Sequence, residues 1–313
     1  MNAAQKLAGF IAGLAVVFAG ALGVGAAIGP TDDAAAQAES QDMQGPSQAA
    51  NEADRLPGGL MVSDGNYTLE LATAQTATGA NVPLRFQIVD TAGRPLTRYT
   101  NSHDKQLHLI VVRRDMVGFQ HVHPVLDGSG NWSVPLNLTR AGDYRVFADF
   151  IAEGGEALAL GADLHVAGDY RPQPLAAPAT TARVADYTVT LAGEVVPGQS
   201  SKLSLSITQN GRPVTDLQPY LGAYGHLVAL RDGDLAYLHV HPDGHPGDGI
   251  TAAGPTIDFE ATTPSAGDYR LFLDFRHNGV VRTAEFTIAA RPATAGTADS
   301  AAQPHPAAPA HGH

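Results

Sequence analysis

The feature that most constrains this 313-residue chain is an internal repeat. Gly93-Arg94-Pro95 recurs as Gly211-Arg212-Pro213, His108 as His226, and His121-Val122-His123-Pro124 as His239-Val240-His241-Pro242, all at an offset of 118 residues. Ala141-Gly142-Asp143-Tyr144-Arg145 recurs as Ala266-Gly267-Asp268-Tyr269-Arg270 at an offset of 125. The second copy therefore carries seven more residues (125 less 118), around Asp243-Gly244-His245-Pro246-Gly247. A loop insertion between matched segments predicts two copies of one domain.

Each copy reads as strands. Residues 187–191, 202–208, 269–275 and 284–288 are short, alternate polar with apolar, and end at Gly, Pro, Asn or Asp turns. Abundant Gly (34) and Pro (21) fit many turns, and no window after residue 30 carries a helical period. About seven strands in about 100 residues per copy predict an all-β chain of two tandem immunoglobulin-like β-sandwich domains. A cupredoxin-like sandwich is the close alternative. The domains are placed at residues 61–167 and 186–290, joined by a linker at 168–185 that contains Pro172, Pro174 and Pro178.

Ahead of the repeat, residues 7–29 form a run of 23 uncharged residues, long enough to cross a bilayer as a transmembrane helix. Lys6 before it and Asp32-Asp33 after it set the N-terminus in the cytoplasm. Residues 1–29 are thus expected to be a signal-anchor, with secretion after cleavage near Ala34-Ala35-Ala36 as the alternative. Either route puts both sandwiches outside the cytoplasm. Residues 30–60 read as a disordered spacer, and residues 291–313 as a disordered tail with His305, His311 and His313.

Composition narrows the function. A net charge of -12, with lysine only at 6, 105 and 202, would repel phosphate backbones, so nucleic acid is excluded as a partner. The absence of cysteine excludes disulfides, thiolate metal sites and thiol nucleophiles. The chain has no Gly-x-Ser-x-Gly, P-loop, dinucleotide fingerprint or His-Glu-x-x-His motif, and it is read as non-enzymatic.

The histidines carry the remaining chemistry. A two-residue type I′ turn at Asp232-Gly233 would set His226 opposite His239, with His241 two residues on and on the same face. The gapless offset predicts a second such set at His108, His121 and His123, although Arg113-Arg114-Asp115-Met116 is a poorer turn. Three neutral imidazoles without thiolates suit Cu(II), Zn(II) or Ni(II), and copper is favoured over zinc on intrinsic affinity. Occupancy is expected to fall as pH drops below about 6.5. The same rows carry Ile110, Val112, Val228 and Leu230, which also suits a core face on which the histidines are structural. Asp149 and Asp274 are expected at the surface beside Arg145 and Arg270, Tyr220 and Tyr224 in packing, and His103 and His245 in loops near the two sets.

The run Pro219-Tyr-Leu-Gly-Ala-Tyr-Gly-His-Leu-Val-Ala-Leu-Arg, with Leu238-His-Val-His-Pro and Gly267-Asp-Tyr-Arg-Leu-Phe-Leu-Asp-Phe, resembles a family of uncharacterised exported proteins of high-GC Gram-positive bacteria. Some of these are described as heavy-metal-binding. The resemblance covers most of residues 60–290, is strongest in the second copy, and departs in the first copy before His108. It implies an exported β-sandwich protein tied to metal handling, with a metal-handling protein as partner. Together these readings predict a membrane-anchored extracytoplasmic protein that binds or buffers a divalent metal. The alternative is a cell-surface interaction module without metal.

Overall fold

The computed structural model describes residues 56–293, and they are all-β. The predicted anchor, most of the predicted spacer and the tail from residue 294 lie outside the described residues. Among the described residues no helix is long and apolar enough to cross a membrane.

The first copy contains β1 (Ser63–Asp64), β2 (Tyr67–Leu71), β3 (Gln75–Ala77), β4 (Gly79–Asp90), β5 (Tyr99–Thr100), β6 (Leu107–Arg113), β7 (Gln120–Val122), β8 (Val125–Leu126), β9 (Asn131–Leu138), β10 (Gly142–Ala152) and β11 (Ala157–Ala167). One sheet has the order β1-β2-β4-β9-β8, and the facing sheet the order β3-β11-β10-β6-β7 with β5 on β10. The second copy contains β12 (Thr181–Val184), β13 (Tyr187–Ala192), β14 (Ser200–Gln209), β15 (Arg212–Pro213), β16 (Gly225–Arg231), β17 (Tyr237–Pro242), β18 (Thr256–Thr262), β19 (Gly267–His277) and β20 (Val280–Ala290). Here β17 pairs with β16 through residues 237–240 and with β18 through His241 and Pro242, which joins both sheets of the sandwich into one ladder. In the first copy the same run is broken into β7 and β8 on either side of His123-Pro124.

Both copies carry the tyrosine corner of immunoglobulin-like sandwiches: Tyr144 donates to the Arg140 carbonyl at 2.9 Å, and Tyr269 to the Ser265 carbonyl at 3.0 Å. The repeated Gly-Asp-Tyr-Arg motif is the sequence trace of that corner. Inward residues such as Phe86, Trp132 and Phe150 fill the first core, and Leu205, Phe259 and Phe286 fill the second.

A third core lies between the sandwiches. Ile110, Val112 and Phe147 of the first copy pack with Val228, Leu230, Tyr237 and Phe272 of the second. Every residue of β6 is buried, and so is every residue of β16 except Arg231. This explains why both strands read as nearly continuous apolar runs rather than clean alternations. One face of each looks into its own sandwich and the other looks across to the other copy. Burying each of these large side chains contributes about 1.5–3 kcal/mol relative to exposure, which gives the docking an apolar driving force.

Two further segments close the junction. Tyr237 N donates to the Gly58 carbonyl at 2.9 Å, and Arg145 donates through Nη2 to the Gly59 carbonyl at 2.7 Å. Gly59 has φ +74°, and a Cβ there would fall 2.3 Å from Phe147 Cδ1, so only glycine passes. Residues 58–60, the end of the segment read as spacer, are therefore tied to both copies. On the linker side, Arg113 and Asp115 form a buried ion pair at 2.7 Å. Gln173 N donates to Asp115 at 2.8 Å, and Tyr170 lies under the Arg113 guanidinium at 5.3 Å.

Candidate metal centre between the sandwiches

The hairpin that presents the histidines differs in register from the sequence expectation. Val228, not His226, lies opposite His239, and Leu230 lies opposite Tyr237. The loop is longer than a two-residue turn. Arg231 N donates to the Ala236 carbonyl, Leu235 takes φ +61°, and Asp234 accepts from Ala236 N at 3.1 Å while it pairs with the Arg231 guanidinium. The first copy has the equivalent register, with Ile110 opposite His121. Because the slip is two residues, positions 226, 239 and 241 stay on one sheet face, as do 108, 121 and 123.

In the first copy the three side chains converge. His108 Nδ1 lies 3.0 Å from His121 Nε2 and 3.2 Å from His123 Nε2, and the three candidate ligand atoms lie within 4.8 Å of one another. The outer nitrogens fix the tautomers. His108 Nε2 donates to the Ser102 carbonyl at 2.9 Å, which leaves its Nδ1 with the lone pair. His121 Nδ1 donates to Asp274 Oδ2 at 2.8 Å, which leaves its Nε2 with the lone pair. Burial, with His121, His108, Lys105 and His226 adding, pushes the His123 imidazole down to about 2, so it is neutral at ordinary pH. Three ring nitrogens thus converge on one point, His108 Nδ1 accepts a hydrogen bond there from a neighbouring ring, His123 Nε2–H being one available donor, and a metal ion could take the place of that proton.

The spacing fits a metal. With metal–nitrogen bonds of about 2.0–2.1 Å, ligand nitrogens in a tetrahedral site lie about 3.3 Å apart. The two short separations here, 3.0 and 3.2 Å, are close to that value, and the third pair lies within 4.8 Å.

The second copy contributes to the same place. The His226 ring lies 6.4 Å from His108 and 6.1 Å from His121, and His226 Nε2 donates to the Tyr220 carbonyl at 2.8 Å. Tyr220 occupies the repeat position of Ser102, so the two carbonyl contacts correspond. For His239 and His241 the backbone alone is described, so the expected second triad of His226, His239 and His241 has one described side chain. Where the sequence predicted two separate sets, the described histidines form one cluster across the junction. His103, at φ +49° in a turn, joins it with its ring 5.3 Å from His226 and 6.0 Å from His108. His245 is exposed in the inserted loop, with Nδ1 near the Pro246 carbonyl.

The aspartates do not lie at the surface beside Arg145 and Arg270, where the sequence places them. Asp274 and Asp149 do lie on the faces opposite their sandwich cores, but those faces meet each other instead of solvent. Asp274 is 4% exposed and accepts from His121 and, at 2.6 Å, from Thr283 Oγ1. Asp149 accepts from the Tyr237 hydroxyl at 2.8 Å. Burial and the Asp149 charge push the Tyr237 phenol well above its usual range, so that donor stays protonated. Arg145 and Arg270 turn elsewhere, to the Gly59 and Leu60 carbonyls with Asp163, and to Thr287 with Glu285. The available signal was an acidic residue inside an otherwise apolar strand, since a charge so placed has a partner.

The chain belongs to the DUF8832 family, described as a domain of unknown function, which it matches twice, over residues 61–168 and 182–292. No curated protein matches it. Among solved structures it is similar to FdeC, described as a conserved Escherichia coli adhesin, at 16% identity over 73% of this chain and 65% of that one with a TM-score of 0.25. It is also similar to InvD of Yersinia pseudotuberculosis, at 14% identity over 78% of this chain and 62% of that one with a TM-score of 0.25. The chain spans less than two-thirds of either protein.

Proposed function

We propose that this chain is an extracytoplasmic protein, anchored through residues 7–29, that binds or buffers a divalent metal ion through His108 Nδ1, His121 Nε2 and His123 Nε2. The observation that carries this reading is the convergence of three imidazole nitrogens, with the outer ring nitrogens of His108 and His121 already donating to Ser102 and Asp274. Metal-bound imidazoles are held in this way, with the outer N–H on a carbonyl or carboxylate. An all-nitrogen set without thiolate places Cu(II) ahead of Zn(II) on intrinsic affinity.

The test is calorimetric titration of the full chain with Cu(II) and Zn(II), beside a variant carrying His108→Gln, His121→Gln and His123→Gln. Binding at one equivalent that disappears in the variant supports the site. Equal binding by both proteins assigns the metal to other groups, the tail histidines first.

A second reading has its own support. The histidines sit at the edge of an apolar junction and hydrogen-bond across it, as interface polar groups do. On that reading the chain is a cell-surface interaction module, and the three-histidine variant lowers the melting temperature with no metal bound by either protein.

A further inference from the structure

The cluster contains one contact that neither copy makes alone. The proposed ligand His121 belongs to the first sandwich, whereas the carboxylate that receives its Nδ1–H belongs to Asp274 of the second. Both side chains are nearly excluded from water, at 3% and 5% exposure. Asp274 is itself anchored, because its other oxygen accepts from Thr283 Oγ1 on the neighbouring strand β20. A rigid sheet of one copy therefore sets the tautomer and ring direction of a ligand carried by the other.

We infer that Asp274 is a positioning residue for the metal ligand His121, so that the metal site is complete only when the two sandwiches are docked. The inference rests on the metal reading above. The physical basis is direct. A neutral imidazole has one proton for two nitrogens, and a fixed carboxylate at Nδ1 keeps that proton away from Nε2, the atom that faces His108. The carboxylate also makes the ring a stronger electron-pair donor. Without it, His121 is free to take the other tautomer, placing a proton on Nε2 where the ion would sit. Metal binding and docking are then linked: each favours the other by the same factor.

The experiment measures Cu(II) affinity by competition with a chelator, on the full chain, for the wild type, Asp274→Ala, Asp274→Asn, His121→Gln and the His121→Gln/Asp274→Ala double variant. Asp274→Ala is expected to weaken binding by about 10–100-fold at unchanged stoichiometry. Asp274→Asn, whose amide oxygen still accepts from Nδ1 without the charge, is expected between Asp274→Ala and the wild type. If Asp274 acts through His121, Asp274→Ala costs less than about twofold more once His121 is Gln, a non-additivity that general loosening of the junction would not produce. Copper electron paramagnetic resonance adds a readout of the ligand field, expected to shift in Asp274→Asn and to be insensitive to Asp274 in the His121→Gln background. Should Asp274→Ala not fold, the Asn pair carries the same cycle.

Wild-type affinity in both Asp274 variants, or an equal loss in the presence and absence of His121, overturns the inference and leaves the three-histidine site standing. Absence of metal binding by the wild type overturns the site and the inference together.

Discussion

The two copies place an aspartate at the same point and use it differently. Asp149 on β10 lies opposite His108 on β6, and Asp274 on β19 lies opposite His226 on β16. Across the junction Phe119 stacks on Phe272 at 4.0 Å, while its counterpart Tyr237 stacks on Phe147, the counterpart of Phe272, at 5.2 Å. The scaffold is reciprocal; its polar wiring is not. Tyr237 has a hydroxyl where Phe119 has none, and that hydroxyl reaches Asp149. Thr283, opposite Asp274, takes the place of Ala159, opposite Asp149, and its hydroxyl anchors the carboxylate that holds His121. Two single-residue differences thus turn a duplicated domain into a pair with distinct polar roles. Duplication supplied the geometry, and asymmetric substitution supplied the chemistry.

The largest effect that tests this division is on metal binding. His108→Gln, His121→Gln and His123→Gln together are expected to abolish one-equivalent Cu(II) binding in calorimetry, whereas His226→Gln on the other side of the cluster is expected to weaken it less than about tenfold. An equal loss from His226→Gln alone would show that the ion is shared across the junction and that the copies are less unequal than their hydrogen bonds suggest.

The apolar half of the comparison is next in size. Phe147→Ala and Phe272→Ala each remove one of the two reciprocal stacks, and each is expected to lower stability by about 3–5 kcal/mol in urea unfolding. A much smaller cost for Phe147→Ala would mean that the Tyr237 side of the junction is held mainly by its hydrogen bond.

Acid titration of the metal-free chain gives a smaller, graded effect. Burial holds His123 neutral down to about pH 2 in the folded chain, whereas the unfolded chain takes up that proton near 6.5. Between those values the unfolded state binds more protons, so stability rises with pH and is lost as pH falls below about 6.5. The slope from this one group is at most about 1.4 kcal/mol per pH unit. His123→Gln is expected to flatten the stability profile by up to that amount. An unchanged slope would assign acid sensitivity to other groups. This also refines the expectation of metal loss below about pH 6.5, since a proton competes poorly for His123.

Much of this molecule was legible in the sequence because the repeat and the two-residue alternation are local signals. The duplicated sandwiches, the same-face histidines and the opposite-face aspartates all follow from period 2 and a constant offset. What the sequence did not disclose is nonlocal. Alternation assigns Asp274 to the outer face of β19, but whether that face meets water or another sheet depends on how two domains dock. The clue lay in β6 and β16, where Ile110, Val112, Val228 and Leu230 make both faces apolar, a pattern of strands covered on both sides. The hairpin register was missed for a different reason. Asp232-Gly233 is a good two-residue turn, yet Asp234 competes by binding the Ala236 amide and the Arg231 guanidinium, and the loop widens by two residues. An even slip preserves faces, so the two-residue difference in register leaves positions 226, 239 and 241 on one face of the sheet.

The finest test separates the two carboxylates themselves. Tyr237→Phe makes the second copy resemble the first at that position, keeping the ring stack on Phe147 and deleting only the hydroxyl. A hydrogen bond to a buried charged group contributes about 1.5–3 kcal/mol, and the low end applies where the carboxylate keeps other contacts. Unfolding is therefore expected to become easier by about 1.5 kcal/mol, while Cu(II) affinity stays within about twofold of the wild type, because Asp149 is not the carboxylate that orients His121. Stability and metal affinity then respond to different aspartates, Asp149 through a phenol and Asp274 through an imidazole. A loss of metal affinity in Tyr237→Phe comparable to that in Asp274→Ala would join the two networks into one, and the asymmetry between the copies would lie only in which residue donates.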